Sequence, residues 1–142
     1  MTISFHQIDV KYRLKNKRIL REWIHDAIRR EKLVPGAITI VFCSDNHLLD
    51  VNQRFLQHDY YTDIITFDYS QENSISGDLF ISIDRVKENA QENEVSQENE
   101  IQRVIIHGVM HLCGYKDKKK SDQILMRKME DFYLKKLQNK LK

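Results

Sequence analysis

The feature that most constrains the fold is a segment that is apolar on nearly every side. Seven of its side chains are apolar and lie all around a helix: Ile101, Val104, Ile105, Ile106, Val109, Met110 and Leu112. A helix of this kind must be covered by other elements, so we expect a helix over about residues 97–113 in the middle of the domain. Ser96 is predicted to cap it, after a break near Val95.

The rest of the chain alternates between strand and helix patterns. Alternating or β-branched apolar runs predict four strands, at about residues 2–9, 37–43, 64–67 and 78–83. Two glycine-containing pairs predict interruptions, a break at Pro35–Gly36 and a turn at Ser76–Gly77. The residues between the second and third strands also include a polar loop from Asp59 to Asp63.

Helical periodicity marks the remaining segments. We expect helices over about 17–32, capped by Asn16, over 45–56, capped by Ser44 or Asp45, and from Asp84 onward. A last helix from Ser121 carries the following apolar residues: Ile124, Leu125, Met129, Phe132, Tyr133 and Leu137. The fold class is therefore α/β (α+β), with a mixed sheet of about four strands packed with helices around the buried helix.

The composition indicates one soluble domain, spanning residues 1–142. With 142 residues, 41% of them hydrophobic, and only four glycines and one proline, the chain is neither disordered nor fibrous overall. No run approaches the ~20 apolar residues of a membrane span. Both cysteines, Cys43 and Cys113, lie in apolar segments, which favours free buried thiols in a reducing compartment. We therefore expect a cytoplasmic protein without a membrane partner.

The net charge of +2 conceals a segregation of charge along the chain. Residues 1–33 contain nine basic and four acidic side chains, residues 34–114 four and thirteen, and residues 115–142 ten and four. If the two basic ends meet, they form a surface that attracts a polyanion such as RNA. The alternative is two amphipathic helices with solvated basic faces.

Two histidines are the polar residues on the apolar second half of this helix. His107 and His111 are four residues apart, so their side chains lie on one face. Gly114 can end the helix and turn the chain back, which would bring Asp117 beside both imidazoles. This is the metzincin spacing with aspartate at the third ligand position, and a His₂–carboxylate set with bound water is a known hydrolytic zinc site.

The spacing alone leaves alternatives open. Asp117 could be a solvated residue of a lysine-rich turn, and two histidines and one carboxylate also match a non-haem iron site. Gly108 occupies the position where zinc proteases have their glutamate base, which counts against a peptidase.

The segment from His107 to Tyr115 resembles the HGxLHLxGYDH signature of the YbeY family of endoribonucleases. Residues 51–67 are similar to that family's LNxxYRxxDxPTDVLSF motif, and residues 77–82 to its GDIxIS strand. The resemblance covers about residues 38–117. It implies a zincin-like site in which His107, His111 and Asp117 hold one Zn²⁺ per chain. It also implies single-strand-specific cleavage of ribosomal RNA on the small ribosomal subunit, in 16S 3′-end maturation and quality control.

Three positions depart from the family pattern. Asp117 stands in place of a third histidine, which makes the site less positive, and Tyr61 replaces a proline. Leu56 replaces an arginine whose guanidinium would stabilise charge on a phosphate. Arg54 or Arg103 could substitute for it, although solvation at the surface is the simpler expectation for both.

Four residues are candidates for substrate binding: Asp59, Thr62, Asp63 and Arg103. Asp and Thr are also common loop residues that bond to their own backbone, and we favour that structural role for the first three. Cys113 is expected to belong to the core, not to the metal site. The catalytic base is not predicted.

Three functions are consistent with these observations. The leading one is a metal-dependent endoribonuclease, with basic residues of the end helices attracting the RNA backbone; these include Lys15, Lys17, Arg18, Arg21 and Lys118 to Lys120. The alternatives are a non-catalytic, metal-stabilised ribosome-assembly or RNA-binding factor and a zinc peptidase.

Overall fold

The computed structural model describes residues 2–58 and 60–142. The elements, in chain order, are β1 (Thr2–Gln7), α1 (Lys17–Arg30), β2 (Val34–Cys43), α2 (Asp45–Leu56), β3 (Ile64–Asp68), β4 (Ser74–Ser82), α3 (Ile83–Glu92), α4 (Gln97–Leu112) and α5 (Lys120–Leu141). All five predicted helices begin within one residue of their expected starts. For α2, α3 and α4 the start is fixed by Ser44, Ser82 and Ser96, which cap these helices through their hydroxyl groups.

The sheet is mixed, with the strand order β1-β2-β4-β3. Strands β1, β2 and β4 run parallel to one another, and β3 runs antiparallel to β4 at the edge. The predicted α/β (α+β) class with a sheet of about four strands is confirmed. The antiparallel edge strand follows from the short connection between β3 and β4, which leaves no room for a helical crossover.

Helices cover both faces of the sheet. Ile38, Ile40 and Phe42 of β2 point into the main core, which also contains the buried side chains of α1, α3, α4 and α5. Cys43 points to the other face, where Leu48 of α2 and neighbouring residues form a smaller cluster. The alternation of side chains along β2 therefore places one helix on one face and four on the other.

Helix α4 is at the centre of the main core, as its sequence predicts. Ile101, Ile105 and Ile106 are completely buried. At Gly108 the helix lies directly on the sheet: a Cβ atom there would be 2.7 Å from Cδ1 of Ile64 and 3.0 Å from Cδ1 of Leu79. A glutamate at this position could not fit, so the missing protease base has a packing explanation.

The two predicted interruptions are wrong, because both pairs lie inside strands. Pro35–Gly36 belongs to β2, where the pairing with β4 shifts register in a bulge, a position that tolerates a residue without an N–H. Ser76–Gly77 belongs to β4. The chain reverses instead near Lys32 and Glu72, which both have positive φ angles.

The start of α1 differs from the prediction in its capping. Asn16 occupies the N-cap position, but it has a left-handed backbone (φ 62°) and its side chain makes no capping hydrogen bond. Side-chain capping requires an extended N-cap backbone, so the left-handed conformation that asparagine tolerates prevents it here.

The buried face of α5 differs in part from the predicted one. Tyr133 and Leu137 are buried as expected, together with Met126 and Leu134, whereas Ile124, Leu125 and Phe132 are exposed. The buried face also includes a carboxylate, Glu130. Within the described part of the chain, neither α5 nor another helix is long and apolar enough to span a bilayer.

Candidate metal centre

The site begins with two imidazoles on one face of α4. His107 and His111 are one helical turn apart, and their rings are 4.6 Å apart between centroids. Their Nε2 atoms lie 3.1 Å from each other. Because the surrounding helix is buried in the core, the two rings are held by a rigid element.

A tight turn after α4 places the third side chain. Gly114 has a φ of 106°, and its N–H donates to the His111 carbonyl at 3.0 Å. The Tyr115 N–H then reaches back to the Met110 carbonyl, also at 3.0 Å. This C-terminal motif reverses the chain as predicted, so that Asp117 lies next to both histidines.

The three donor atoms form a small triangle. Oδ2 of Asp117 is 3.1 Å from Nε2 of His111 and 3.2 Å from Nε2 of His107. Ligands of a tetrahedral zinc ion with bonds of 2.0–2.1 Å are separated by about 3.3 Å. Within residues 2–58 and 60–142, these three form the one group of potential metal ligands of this kind. The donor set therefore fits a divalent cation.

The outer nitrogens of both rings are already engaged, which determines the tautomers. Nδ1 of His111 is 2.9 Å from the Tyr115 carbonyl, which can only accept, so this nitrogen carries the proton. Nδ1 of His107 donates in the same way to Oε2 of Glu130, at 2.7 Å. In the neutral form of each ring, the Nε2 lone pair therefore faces the Asp117 carboxylate. Three electron-rich atoms in contact repel each other unless a cation or a proton lies between them.

Glu130 connects the site to a second layer of charge. Its Oε1 accepts a 2.9 Å hydrogen bond from Arg103, whose other guanidinium nitrogen lies 2.7 Å from Asp131. Burial opposes ionisation of Glu130, but the hydrogen bonds from His107 and Arg103 outweigh it and lower its pKa. Burial likewise opposes the charged form of His107, yet the bond to Glu130 and its charge raise the pKa of that imidazole. Glu130 thus remains an acceptor that orients His107.

The triangle opens into a groove with a volume of about 580 Å³. The other residues that line the groove are Asn52, Leu56, His58, Tyr60, Thr62, Asp63, Ile64, Ile65, Thr66, Asp68 and Lys118. The groove is large enough for part of a polymer, and one wall is built by the loop that joins α2 to β3.

The predicted substrate-binding residues do not all line this groove. Thr62 and Asp63 line the groove with the two histidines, and burial raises the pKa of Asp63. Arg103 is not solvated as expected: its side chain is 18% exposed and is bound by Glu130 and Asp131. Asp59 lies outside the described residues. Cys113 packs against the core, away from the cluster, as predicted.

Leu56, the residue aligned with the family's arginine, is part of the groove wall. Its side chain is 40% exposed. Arg54 does not replace the arginine, because it is paired with Asp50 at 3.1 Å and lies outside the groove lining. Lys118 is the one lysine or arginine that lines this groove in the described part of the chain.

Sequence reasoning missed several residues of the site. Glu130 is 23 residues beyond His107, and the signal that could have identified it is a carboxylate among the apolar positions of α5. The aromatic pair His58 and Tyr60 carried no motif, and the buried Asn52 was covered only by the resemblance of residues 51–67 to the family motif.

Fold and site together define a mixed α/β domain with a zincin-like His–His–Asp segment, the arrangement of a metal-dependent hydrolase. Comparison with known families makes this assignment specific. The protein-family model described as Endoribonuclease YbeY matches residues 2–138, and the chain belongs to this family.

Related proteins match this chain along almost its whole length. Endoribonuclease YbeY of Flavobacterium psychrophilum is 48% identical over 134 residues, which are 94% of each chain. The Cytophaga hutchinsonii protein of that name is 47% identical over 92% of both chains, and the one from Porphyromonas gingivalis is 45% identical over 91% of this chain and 85% of its own. These relatives favour neither a peptidase nor a non-catalytic factor.

A solved structure supports the fold. The solution structure of TM1509 from Thermotoga maritima superposes with a TM-score of 0.70, covers 99% of this chain and 91% of its own, and is 23% identical in sequence. At this identity the similarity concerns the architecture.

Proposed function

We propose that residues 1–142 form a single zinc-dependent endoribonuclease domain that cleaves single-stranded RNA, with His107, His111 and Asp117 as the metal ligands. The observation that carries the proposal is the triangle of donor atoms, with edges of 3.1 to 3.2 Å, at the base of an open groove. Family membership supports the endoribonuclease activity, and the donor set supports the metal.

Each ligand has a defined role in this proposal. His107 and His111 would bind the ion through Nε2, because Nδ1 of each ring is already hydrogen-bonded, to Glu130 and to the Tyr115 carbonyl. Asp117 contributes a negative charge that attracts a cation to a half-exposed site. A bound zinc ion would supply Lewis acidity toward a phosphoryl oxygen and activate water as the nucleophile.

Two further residues of the groove complete the proposed chemistry. Burial raises the pKa of Asp63, so its carboxyl group keeps a proton to higher pH than an exposed aspartate and can pass it to a leaving oxygen. Lys118 lines the groove, and we assign it to the developing phosphate charge, where the family pattern has the arginine aligned with Leu56.

The experiment is metal analysis of protein purified without a metal-binding tag, combined with cleavage of a single-stranded oligoribonucleotide. We expect one zinc per wild-type chain, almost none in His111→Ala, and cleavage that follows the metal. His6→Ala is the control, because this exposed histidine bonds only to Ser4 among the side-chain contacts described for it. Equal, near-zero metal in wild type and His111→Ala would exclude the site.

Asp117 is tested separately. Asp117→Asn keeps the size of the side chain but removes its charge, so we expect weaker metal retention on dialysis. Full occupancy in this variant would show that the third ligand lies elsewhere.

The ribosomal substrate is the finer part of the proposal. We infer that the substrate is the 3′ end of 16S ribosomal RNA on the small ribosomal subunit, in the cytoplasm, as part of maturation and quality control. Purified protein should trim a 3′-extended precursor within isolated small subunits, and cells depleted of the protein should accumulate that precursor. Normal 3′ ends after depletion would contradict this substrate.

A further inference from the structure

The groove beside the three proposed metal ligands has an aromatic rim, which consists of His58 and Tyr60. His58 and Tyr60 line the same groove as His107, His111 and Asp117. Their rings are 5.2 Å apart between centroids with only 22° between their planes, which is a stacked arrangement. The tyrosine hydroxyl and Nδ1 of His58 are 3.0 Å apart, so a hydrogen bond fixes the pair in this geometry.

This pair is exposed, although stacked aromatic rings are usually buried in a core. Tyr60 is 56% exposed and His58 is also exposed. Two parallel rings at the edge of a polar groove do not contribute to the core, so their arrangement needs another physical reason.

A buried amide holds the aromatic rim in place. Asn52 of α2 is only 2% exposed, and its Nδ2 donates to the Tyr60 carbonyl at 2.9 Å. The backbone carbonyl of Asn52 accepts the His58 N–H at 3.1 Å. One buried residue thus fixes the backbone of both aromatic residues relative to α2 before any ligand arrives.

We propose that the His58–Tyr60 pair is a stacking platform for the unpaired base of a nucleotide next to the phosphate that the metal site cleaves. The proposal rests on the RNA substrate proposed above and names the residues that select a single strand. Bases of a duplex are covered on both faces by their neighbours, whereas an unpaired base has a free face to stack on an aromatic ring. The metal cluster and Lys118 would then engage the backbone in the same groove.

The neighbouring tyrosines have other surroundings. Tyr61 stacks beneath the guanidinium of Arg85, 5.6 Å from its ring centre, and does not line the groove. Tyr69 is 57% exposed, almost the same as Tyr60, but it lies in the connection after β3 and is not part of the lining. Tyr69 therefore offers a control of the same residue type and exposure.

The test uses a short single-stranded oligoribonucleotide in which one position at a time carries 2-aminopurine, whose fluorescence is quenched by stacking. With the zinc-loaded protein we expect quenching at one position, and Tyr60→Ala should abolish it and weaken binding by about 5- to 150-fold. Tyr60→Phe keeps the ring and loses only the hydroxyl bond to His58, so it should retain the quenching and bind more tightly than Tyr60→Ala, and Tyr69→Ala should behave as wild type. An abasic residue at the quenched position should weaken wild-type binding and remove the difference between Tyr60→Ala and wild type.

Cleavage of the same oligonucleotides separates this proposal from the nuclease proposal. Quenching that depends on Tyr60, without cleavage, would support the platform and overturn the nuclease activity. Cleavage with the same kcat/KM and quenching in wild type, Tyr60→Ala and Tyr69→Ala would overturn the platform alone. If the wild type neither binds nor cleaves the oligonucleotide, both proposals are wrong.

Discussion

Glu130 of α5 accepts a 2.7 Å hydrogen bond from Nδ1 of His107 in α4, across 23 residues of sequence. This contact fixes the tautomer and the ring orientation of a proposed ligand, and Arg103 holds Glu130 from the other side. Partners of this kind tune metal sites without touching the ion, because they determine which lone pair the ligand presents.

Replacing Glu130 should therefore weaken the metal site. For Glu130→Gln we expect a roughly 10- to 100-fold loss of zinc affinity, measured by competition with a chromophoric chelator, because the amide is a weaker acceptor for His107 than the carboxylate. Asp131→Asn is the matched control, since Asp131 also binds Arg103 but is not among the contacts of the histidine. Equal zinc affinity in both variants would contradict the role of Glu130.

Asp117→His should change the pH dependence of cleavage. Exchanging the carboxylate for a neutral imidazole removes one negative charge from the site. The more positive site stabilises the deprotonated form of a water molecule bound there. We expect metal to be retained and the rising limb of the profile of kcat/KM against pH to move to lower pH. Asp122→His, which lies outside the cluster, should leave the profile in place. An unmoved profile in Asp117→His would show that the charge at this position does not control the reaction.

The two basic ends of the chain do meet. Trp23 of α1 donates to the Tyr133 carbonyl of α5 at 2.7 Å, and a groove of about 620 Å³ lies alongside, with Arg29, Arg30 and Lys136 among its lining residues. Arg21, in contrast, donates to the Ile3 carbonyl, so it is used within the fold.

Neutralising this α1–α5 groove should weaken RNA binding for every sequence. Each lost contact between a cation and a single strand reduces the salt dependence, as the slope of log K against log salt, by ~0.7. We expect Arg29→Gln combined with Lys136→Gln to lower that slope by roughly 1.4 if both contact phosphates. The charge-matched control is Arg54→Gln with Lys87→Gln, whose residues lie outside this groove. The same slope in wild type and the groove variant would exclude the surface.

Both cysteines should resist thiol reagents in the folded protein. Burial, together with nearby carboxylates, raises the pKa values of Cys43 and Cys113 to about 12. The reactive species is the thiolate, so at pH 8 we expect slow labelling by a chromogenic disulfide, and complete reaction of both thiols after denaturation. Rapid labelling of the native protein would show that at least one thiol is accessible.

Local sequence information was sufficient to predict the central helix and the proximity of His107, His111 and Asp117. The apolar run of α4 predicted a covered helix, and a spacing of four residues places His107 and His111 on one face in any α-helix. The position of Asp117 follows from a turn that needs only Gly114 and two backbone hydrogen bonds. These features depend on residues within about three helical turns of each other.

Other elements were not predictable, because their local patterns are compatible with more than one structure. Ser76–Gly77 has the composition of a turn, yet Gly77 lies in a strand, where a Cβ atom would be 2.4 Å from the Phe67 carbonyl oxygen. On α5, Ile124 and Leu125 were as apolar as the residues that became buried. Whether such a segment becomes a strand or is buried depends on the residues it packs against, which are distant in the sequence.

By itself, the sequence determined the central helix, the sheet composition and the order of the three proposed ligands. Only the tertiary structure decided which carboxylate orients His107, which loop walls the groove and which aromatic rings border it. The reason is physical: contacts along one helix or turn follow from backbone geometry, whereas Glu130, Asn52 and Tyr60 reach their partners through the packing of separate elements, and that packing depends on the whole core.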